Sequence, residues 1–486
     1  MKRILTVIVI GLVIIVMVVF GASCAGTSGT KTASSDSAAE AMGSDLAGKT
    51  IRILGTTEFW DMLIKAVIPD FEKETGMTVE FEQIGQSEQM QKARLELSKG
   101  SKQYDIVMIS SYDNAIYYAN GWCENIDALE KSTGVSFNRD TLIPNVLQSA
   151  PCQWEGVTYG LPTLVSTNGI LLYRKDLIEK QEEKDAFKAK YGYDLVPPTT
   201  WDQYYDVAEF FTRKSGDKLA GTALTSDFYG NAMHLDAGGA VFDQWLSPYM
   251  SGDTESGADP DVAEYTLSKD YQPQFNSKAG VAAIDMIKKL YDNEYTYPGS
   301  LSMTWSMIVE PFRTNGAFMA YGWAEDAVAA MLPDNNQYAS NLAWAPMPVG
   351  KYPRILQGGW VATINKNSLN KEAAYKFLAW LTSQETEAKQ LKAGQGFKLP
   401  MRQKNFDDPS LMKGYEFFSV VADMMKTYTI SGESSILPET DLVKQALNVE
   451  LQRVVTGEKT SQKALDDAAA AIIKGLTEAG AYDRLK

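Results

Sequence analysis

The chain has 486 residues, 45% of them hydrophobic, with 10 Trp and 24 Tyr, and its formal net charge is −15. That length exceeds a single domain and that composition can fill large cores, while the negative balance argues against binding nucleic acid or anionic lipid through charge. A single histidine, His234, excludes the two-histidine zinc helix and argues against a catalytic thiol, which it alone would have to serve, and no GxSxG elbow is present.

Lys2 and Arg3 precede an apolar run from Ile4 to Phe20, followed by Gly21, Ala22, Ser23 and Cys24. A basic start, an apolar centre and a small-residue exit spell a secretory signal over residues 1–23. A spanning helix needs about 20 apolar residues, and this run is shorter, although an uncleaved anchor stays open as the alternative. Without Lys2 and Arg3 the charge becomes −17. The Gly-Ala-Ser-Cys exit resembles a bacterial lipobox, with Gly21 where that motif carries Leu, so Cys24 is expected to be lipidated and to hold the protein to the membrane from outside. Residues 24–47 are mostly Ala, Ser, Thr and Gly. Such a stretch cannot bury a core and is expected to serve as a tether. "GSDLAGKT", Gly43–Thr50, has phosphate-loop spacing, but the strand that must precede such a loop is missing.

Alternation of Ile51 and Ile53 predicts a strand. Trp60, Leu63, Ile64, Val67 and Phe71 follow at helical spacing, and Gly76 ends that helix. "MTVEFEQIG" predicts a second strand, "SEQMQKARLELSKGS" a second helix and "YDIVMISS" a third strand. The last is a near-continuous apolar run, as in sheets covered on both faces. The order β-α-β-α-β opens a doubly wound α/β domain, whose ligands gather beyond the carboxyl ends of its strands. The loops at that edge carry Glu58, Phe59 and Trp60 after the first strand, and Ser111, Tyr112 and Asp113 after the third.

Cys123 and Cys152 are the cysteines beyond Cys24. In an oxidising compartment the two are expected to form a disulfide; two buried thiols are the alternative. "YGLPTLVSTNGILLYRKDL", Tyr159–Leu177, reads as a long buried strand interrupted by Ser166, Thr167 and Asn168. In "VPPTTWDQYYDVAEFF", Thr200 and Gln203 form a capping box, and Trp201 is expected to be structural. "SGDTESGADPD", Ser251–Asp261, clusters acids without the spacing of a calcium loop and is expected to be a solvated loop. His234 is expected to be an ordinary hydrogen-bonded side chain. "NKEAAYKFLAWL" and "KALDDAAAAIIKGL" predict amphipathic helices, and no short repeat is visible.

Several blocks resemble the extracellular solute-binding proteins of ABC importers, in particular the family that includes the maltose-binding protein. They are "GVTYGLP" with "LLYRKDLI", "PPTTWDQY", "EPFRTNGAFMAYGW", "WAPMPVG", "QGGWVATINKNSLNKEAAYKFLAWL" and "VVTGEKTSQKALDDAA". They fall in the family's order across roughly residues 50–475, with Arg174 in place of the usual Asn. Phe242–Pro273 reads as an insertion. The resemblance implies a two-lobed, hinge-connected α/β fold with mainly parallel sheets and a ligand cleft. The lobes would be 48–163 with 357–403, and 164–356 with the helical 404–486; Ser166, Thr167 and Asn168 would cross the cleft floor. It implies capture of a small solute, expected to be a sugar or oligosaccharide, by hinge closure. Delivery would be to a membrane permease with its ATPase subunit, by a monomer with no cofactor, metal or catalytic step.

Sugars pack their C–H faces on aromatic rings and give hydroxyls to polar groups. Trp323 and Trp360 lie where the family places cleft loops, with Gly358 and Gly359 allowing close backbone approach. Trp60, Tyr229, Trp245 and Trp305 are further candidates, as are the polar Ser111, Ser166 and Thr167. Glu58, Asp113 and Glu325 are expected hydroxyl acceptors. The competing expectations are a non-sugar solute (polyol, glycerol phosphate or amine), a secreted glycoside hydrolase using paired carboxylates, and a surface adhesin.

Overall fold

The computed structural model describes residues 46–111, 113–144, 146–149, 152–252, 266–333, 336–394, 398–412, 420, 421, 424, 429–432 and 437–485. The expected signal, Cys24, nearly all of the tether, Tyr112 and most of the acidic loop lie outside the described residues.

The opening β-α-β-α-β is present. It comprises β1 (Thr50–Thr56), α1 (Phe59–Thr75), β2 (Thr78–Ile84), α2 (Gln86–Ser98) and β3 (Ile106–Ser110). α1 stops at Gly76, whose left-handed conformation lets its N–H reach the Glu72 carbonyl, a geometry that costs glycine little. β1 pairs in parallel with both β2 and β3. β3 is buried on both sides, as its continuous apolar run requires. Ile106 and Met108 enter one core, with Ile51, Ile53 and Phe377, while Val107 and Ile109 enter another, with Leu54 and Val361. Each such side chain contributes about 1.5–3 kcal/mol by leaving water.

Two strands leave this lobe. β4 (Gly160–Arg174) is buried along nearly its whole length, and β8 (Arg354–Ile364) runs antiparallel beside it. Leu161 and Leu164 of β4 belong to the first-lobe core, whereas Ile170, Leu171 and Leu172 belong to a separate core. β8 makes the same passage in reverse, from Ile355 and Leu356 in the second core to Trp360, Ala362 and Ile364 in the first. The crossover pairs Ser166 with Gly358, Thr167 with Gln357 and Asn168 with Leu356. The polar triplet of β4 thus stands where the chain passes between cores, which explains polar side chains in an otherwise dry strand.

The second lobe is built on the far half of β4. It contains α5 (Trp201–Phe211), β5 (Tyr229–Asn231), α6 (Ala240–Ser251), α7 (Lys278–Asp292), β6 (Ala317–Trp323), α8 (Ala324–Met331), β7 (Leu342–Pro346) and β9 (Thr429–Gly432). After the first-lobe helices α9 (Lys371–Leu381) and α10 (Gln384–Gly394), it is completed by α11 (Thr440–Val455) and α12 (Ser461–Glu478). The strand order is β2-β1-β3-β8-β4-β6-β5, with β7 also on β4 and β9 on β8. The parallel ladders of the opening unit are joined by antiparallel pairs made by β4 and β8, so the sheet as a whole is mixed.

The capping box at α5 is present in modified form. Thr200 accepts from the Gln203 N–H, and Gln203 accepts from Thr199 rather than from Thr200. The segment expected to be an insertion begins inside the core, and one expectation, the disulfide, is corrected. The described start of the expected insertion is α6, buried at every position and part of the second core. Cys123 and Cys152 are buried thiols with no disulfide between them. Burial pushes the Cys123 thiol up to about 12, which makes it a poor nucleophile.

Candidate functional site

β1 and β3 deliver their loops to the crossover from the first lobe. Glu58 is the N-cap of α1, and Phe59, although attached to the first lobe, packs against the second-lobe core. Trp60 stacks at a tilt on Trp360, with ring centroids 5.6 Å apart, and its indole N–H has no partner. Trp360 is only 5% exposed. It backs Trp60 instead of offering an open face of its own.

From the second lobe, β6 ends at Trp323 opposite Asn168, and α8 begins at once. Its first turn carries Glu325 and Asp326, where the exposed N–H groups favour negative charge. The Ser166 hydroxyl donates to the Glu325 carboxylate. Burial pushes Glu325 up to about 7, with the Ser166 hydrogen bond opposing the shift. Asp326 is raised as well, by burial first and then by the charges of Glu325 and Glu58. Glu58 is raised by burial. Carboxylates from both lobes therefore feel one another across the crossover. Asn168 is fully buried, and neither its amide N–H₂ nor its carbonyl has a partner. Ser166 and Asn168 are two apart on one strand and share a face, so this amide faces the side on which Glu325 stands.

A second group lies beside this one. Asp243 of α6 accepts from the Trp305 indole at 2.6 Å and the Trp323 indole at 3.2 Å. Its carboxyl is pushed up to about 6 by burial, offset by Lys444 and these two donors. One buried carboxylate thus fixes the orientation of two indoles. Gly239 has φ +146°, and a Cβ there would stand 2.7 Å from the Trp305 ring, so the approach of that ring depends on glycine.

The remaining expected residues divide clearly. Ser111 is spent on structure: its N–H donates to the Gly359 carbonyl, and its hydroxyl accepts from the Gly359 N–H. Gly359 is required there, because a Cβ would lie 2.0 Å from the Leu164 carbonyl oxygen. Gly358 pairs with Ser166 on β4. Thr167 faces away from Ser166 and donates to the Leu356 carbonyl. Asp113 is ion-paired to Arg94 at 2.8 Å, so it is not an open hydroxyl acceptor.

Trp245 is fully buried in the second lobe, stacked on Tyr249 at 4.7 Å and donating to the Gly280 carbonyl; it is a core residue. Tyr229 pairs with Ala317 at the start of β6, whereas Trp323 stands at that strand's other end, so Tyr229 is on the wrong side of the lobe. His234 is buried with neither ring nitrogen bonded, and burial lowers it to about 3, leaving a neutral ring where a hydrogen-bonded one was expected. Among the described residues no cluster of His, Cys, Asp or Glu could hold a metal ion.

Four residues escaped sequence reasoning. Asp326 directly follows an expected acceptor, and that adjacency was the available signal. Asp61 accepts from the Thr56 hydroxyl at 2.9 Å and is pushed up to about 7 by burial. Asp243 lay in a segment set aside as an insertion. Arg94 of α2 holds Asp113 of its own lobe and also Asp441 at the start of α11 in the other. A groove of about 760 Å³ lies elsewhere, on the second lobe between α5, the end of α6 and α7. Trp201, Tyr205, Pro248, Lys278, Met286 and Lys289 line it, and it contains none of the expected site residues.

The bacterial extracellular solute-binding protein family model matches residues 56–388. A probable amino-acid ABC transporter periplasmic-binding protein of Sinorhizobium fredii is 25% identical over 397 residues, covering 80% of this chain and 80% of the relative. An erythritol/L-threitol-binding protein of Mycolicibacterium smegmatis is 24% identical, covering 74% of this chain and 72% of the relative. Among solved structures, an ABC transporter solute-binding protein from Agrobacterium radiobacter in complex with ribitol superposes with a TM-score of 0.73. It is 24% identical and covers 88% of this chain and 99% of that one. Two lobes joined by paired crossing strands, together with a family match over most of the chain, identify this protein as a member of the bacterial extracellular solute-binding protein family.

Proposed function

We propose that this protein is the receptor of an ABC importer that captures a sugar or polyol between its lobes and presents the closed form to a membrane permease. The observation that carries the reading is the crossover. From one lobe Phe59 packs on the second-lobe core and Glu58 acts on Asp326, while Ser166 of the crossing strand reaches Glu325, beside Trp323 and a buried Asn168 whose side-chain amide has no partner. A solute touching both groups binds the closed state better than the open one, which is all that closure requires. Hydroxyls suit this mixture of carboxylate, amide and indole; one of the relatives above is named for polyols and the solved structure above holds ribitol.

The carboxylates serve as acceptors in this reading, with no catalytic step. Lipidation at Cys24, a tether over residues 24–47 and a monomeric state complete it. Thermal melting against a panel of sugars and polyols tests it. A solute that binds only the folded state at a hundred times its Kd stabilises by about 2.7 kcal/mol. A rise in midpoint with one member of the panel is expected. No rise with any member, or turnover of an oligosaccharide, refutes the reading.

A further inference from the structure

The charge balance at the crossover says more about the solute. Glu58 stands at the head of α1, and Glu325 and Asp326 at the head of α8. Among the described residues no ion pair engages any of the three; Asp326 is raised by the charges of Glu325 and Glu58, and Asp61 in turn by that of Glu58. One Asp326 oxygen is buried with no hydrogen-bond partner. The helix N-termini offset this by about 0.3–1 kcal/mol each, less than the penalty for several ionised carboxylates held partly out of water. A neutral hydroxyl can donate to a carboxylate but brings no charge. A metal ion has no suitable donor set among the described residues. A primary ammonium brings both a positive charge and three donors.

An independent observation points to a ligand at the same place. Asn168 is fully buried, its amide has no partner at either end, and it shares a strand face with Ser166, whose hydroxyl reaches Glu325. A side-chain amide offers one acceptor and two donors, which suits a hydroxyl. Trp60 stacks on Trp360 of β8 and its indole N–H has no partner, and indole faces attract cations.

We propose that the solute is a cationic, hydroxyl-bearing molecule, an amino sugar or amino polyol. Its ammonium lies between Glu58 of one lobe and Glu325 and Asp326 of the other, and Asn168 takes a hydroxyl. This rests on the receptor reading above and narrows it. An alkylammonium at the end of a polyol chain keeps most of its charge at pH 8, so affinity follows the carboxylates. It falls as acid takes Glu325 down through about 7, and Glu58, Asp326 and Asp61 add to the loss in the same direction.

The test is calorimetric titration of the full chain with matched pairs, each a neutral polyol and its 1-amino-1-deoxy twin: glucitol with glucamine, mannitol with 1-amino-1-deoxymannitol, ribitol with 1-amino-1-deoxyribitol. At pH 8 the aminated member of a binding pair is expected to be tighter by roughly tenfold or more. That advantage shrinks at pH 5 and in high salt. Asp326→Asn, or Glu58→Gln from the other lobe should the first fail to fold, lowers the amine-to-neutral ratio by about fivefold. A neutral member binding as tightly as its twin overturns the inference and leaves the receptor reading standing. No binding by any member, neutral or aminated, overturns both.

Discussion

Arg94 and Asp441 are 347 positions apart and join the two lobes. Replacing Asp441 by Asn removes the charge across the gap, keeps the shape, and leaves the Arg94–Asp113 pair in place. The Arg94 and Asp441 side chains are 29% and 36% exposed, so water and salt screen the contact. It falls in the class of surface pairs worth about 0.2–1 kcal/mol, near the upper end because the guanidinium engages both carboxylate oxygens. A closed state destabilised by that amount binds solute roughly two- to fivefold more weakly. It also leaves more open molecules without solute. Small-angle scattering should show a larger radius of gyration for solute-free Asp441→Asn than for the parent at low salt. The difference should disappear at about 0.5 M salt, where charges more than a few ångströms apart are screened. Arg94→Ala must behave differently, because it strips the buried Asp113, whose side chain is 3% exposed, of its counter-charge. Breaking such a pair costs about 3–5 kcal/mol, so this variant should lose folding stability as well as affinity. Asp441→Asn with parental scattering and parental affinity at low salt would refute the claim that this contact biases closure.

Trp245→Ala should cost about 3–5 kcal/mol in urea unfolding because it empties a fully buried site, whereas Trp60→Ala, at a half-buried position, should lower solute affinity more than stability. Gly359→Ala should depress the melting temperature, since its Cβ meets the Leu164 carbonyl at 2.0 Å and the β4–β8 crossover has to shift. Glu325 has an ordinary value of 4.5 and a folded value of about 7. Between these values the native state holds the extra proton, so its contribution is present below about 4.5 and is lost as pH rises through about 7. At 1.36 kcal/mol per pH unit this comes to at most about 3 kcal/mol, and Glu325→Gln should flatten the fall in melting temperature between pH 5 and pH 8. An equal fall in both proteins would show that Glu325 is not the titrating group.

Much of the fold was legible because its signals are local. The apolar run of β3, the Gly76 stop of α1 and the Thr200 cap of α5 are decided by neighbours a few positions away. The interrupted strand at Ser166, Thr167 and Asn168 was equally plain, since three polar residues in a dry strand need a structural reason. The site was legible only in part. Trp60 and Trp245 are both indoles in apolar company, yet one packs half-buried against the first core and Trp360 and the other fills the second core. Tyr229 lay on the right strand neighbour and at the wrong end of it. Ser111, Thr167 and Asp113 were drawn to the site by position, but each is committed to a partner that sequence distance conceals.

By itself the sequence determined the opening strand and helix order and the α/β character, because hydrophobic period and caps act over a few residues, while the two lobes and the hinge role of the interrupted strand followed from the resemblance of its blocks to the solute-binding family. Only the tertiary structure decided which carboxylates share one space, which indoles are held by Asp243, and that Arg94 reaches across to Asp441. Those facts depend on where two crossing strands bring distant chain segments together, and charges and rings interact through space and not along the chain.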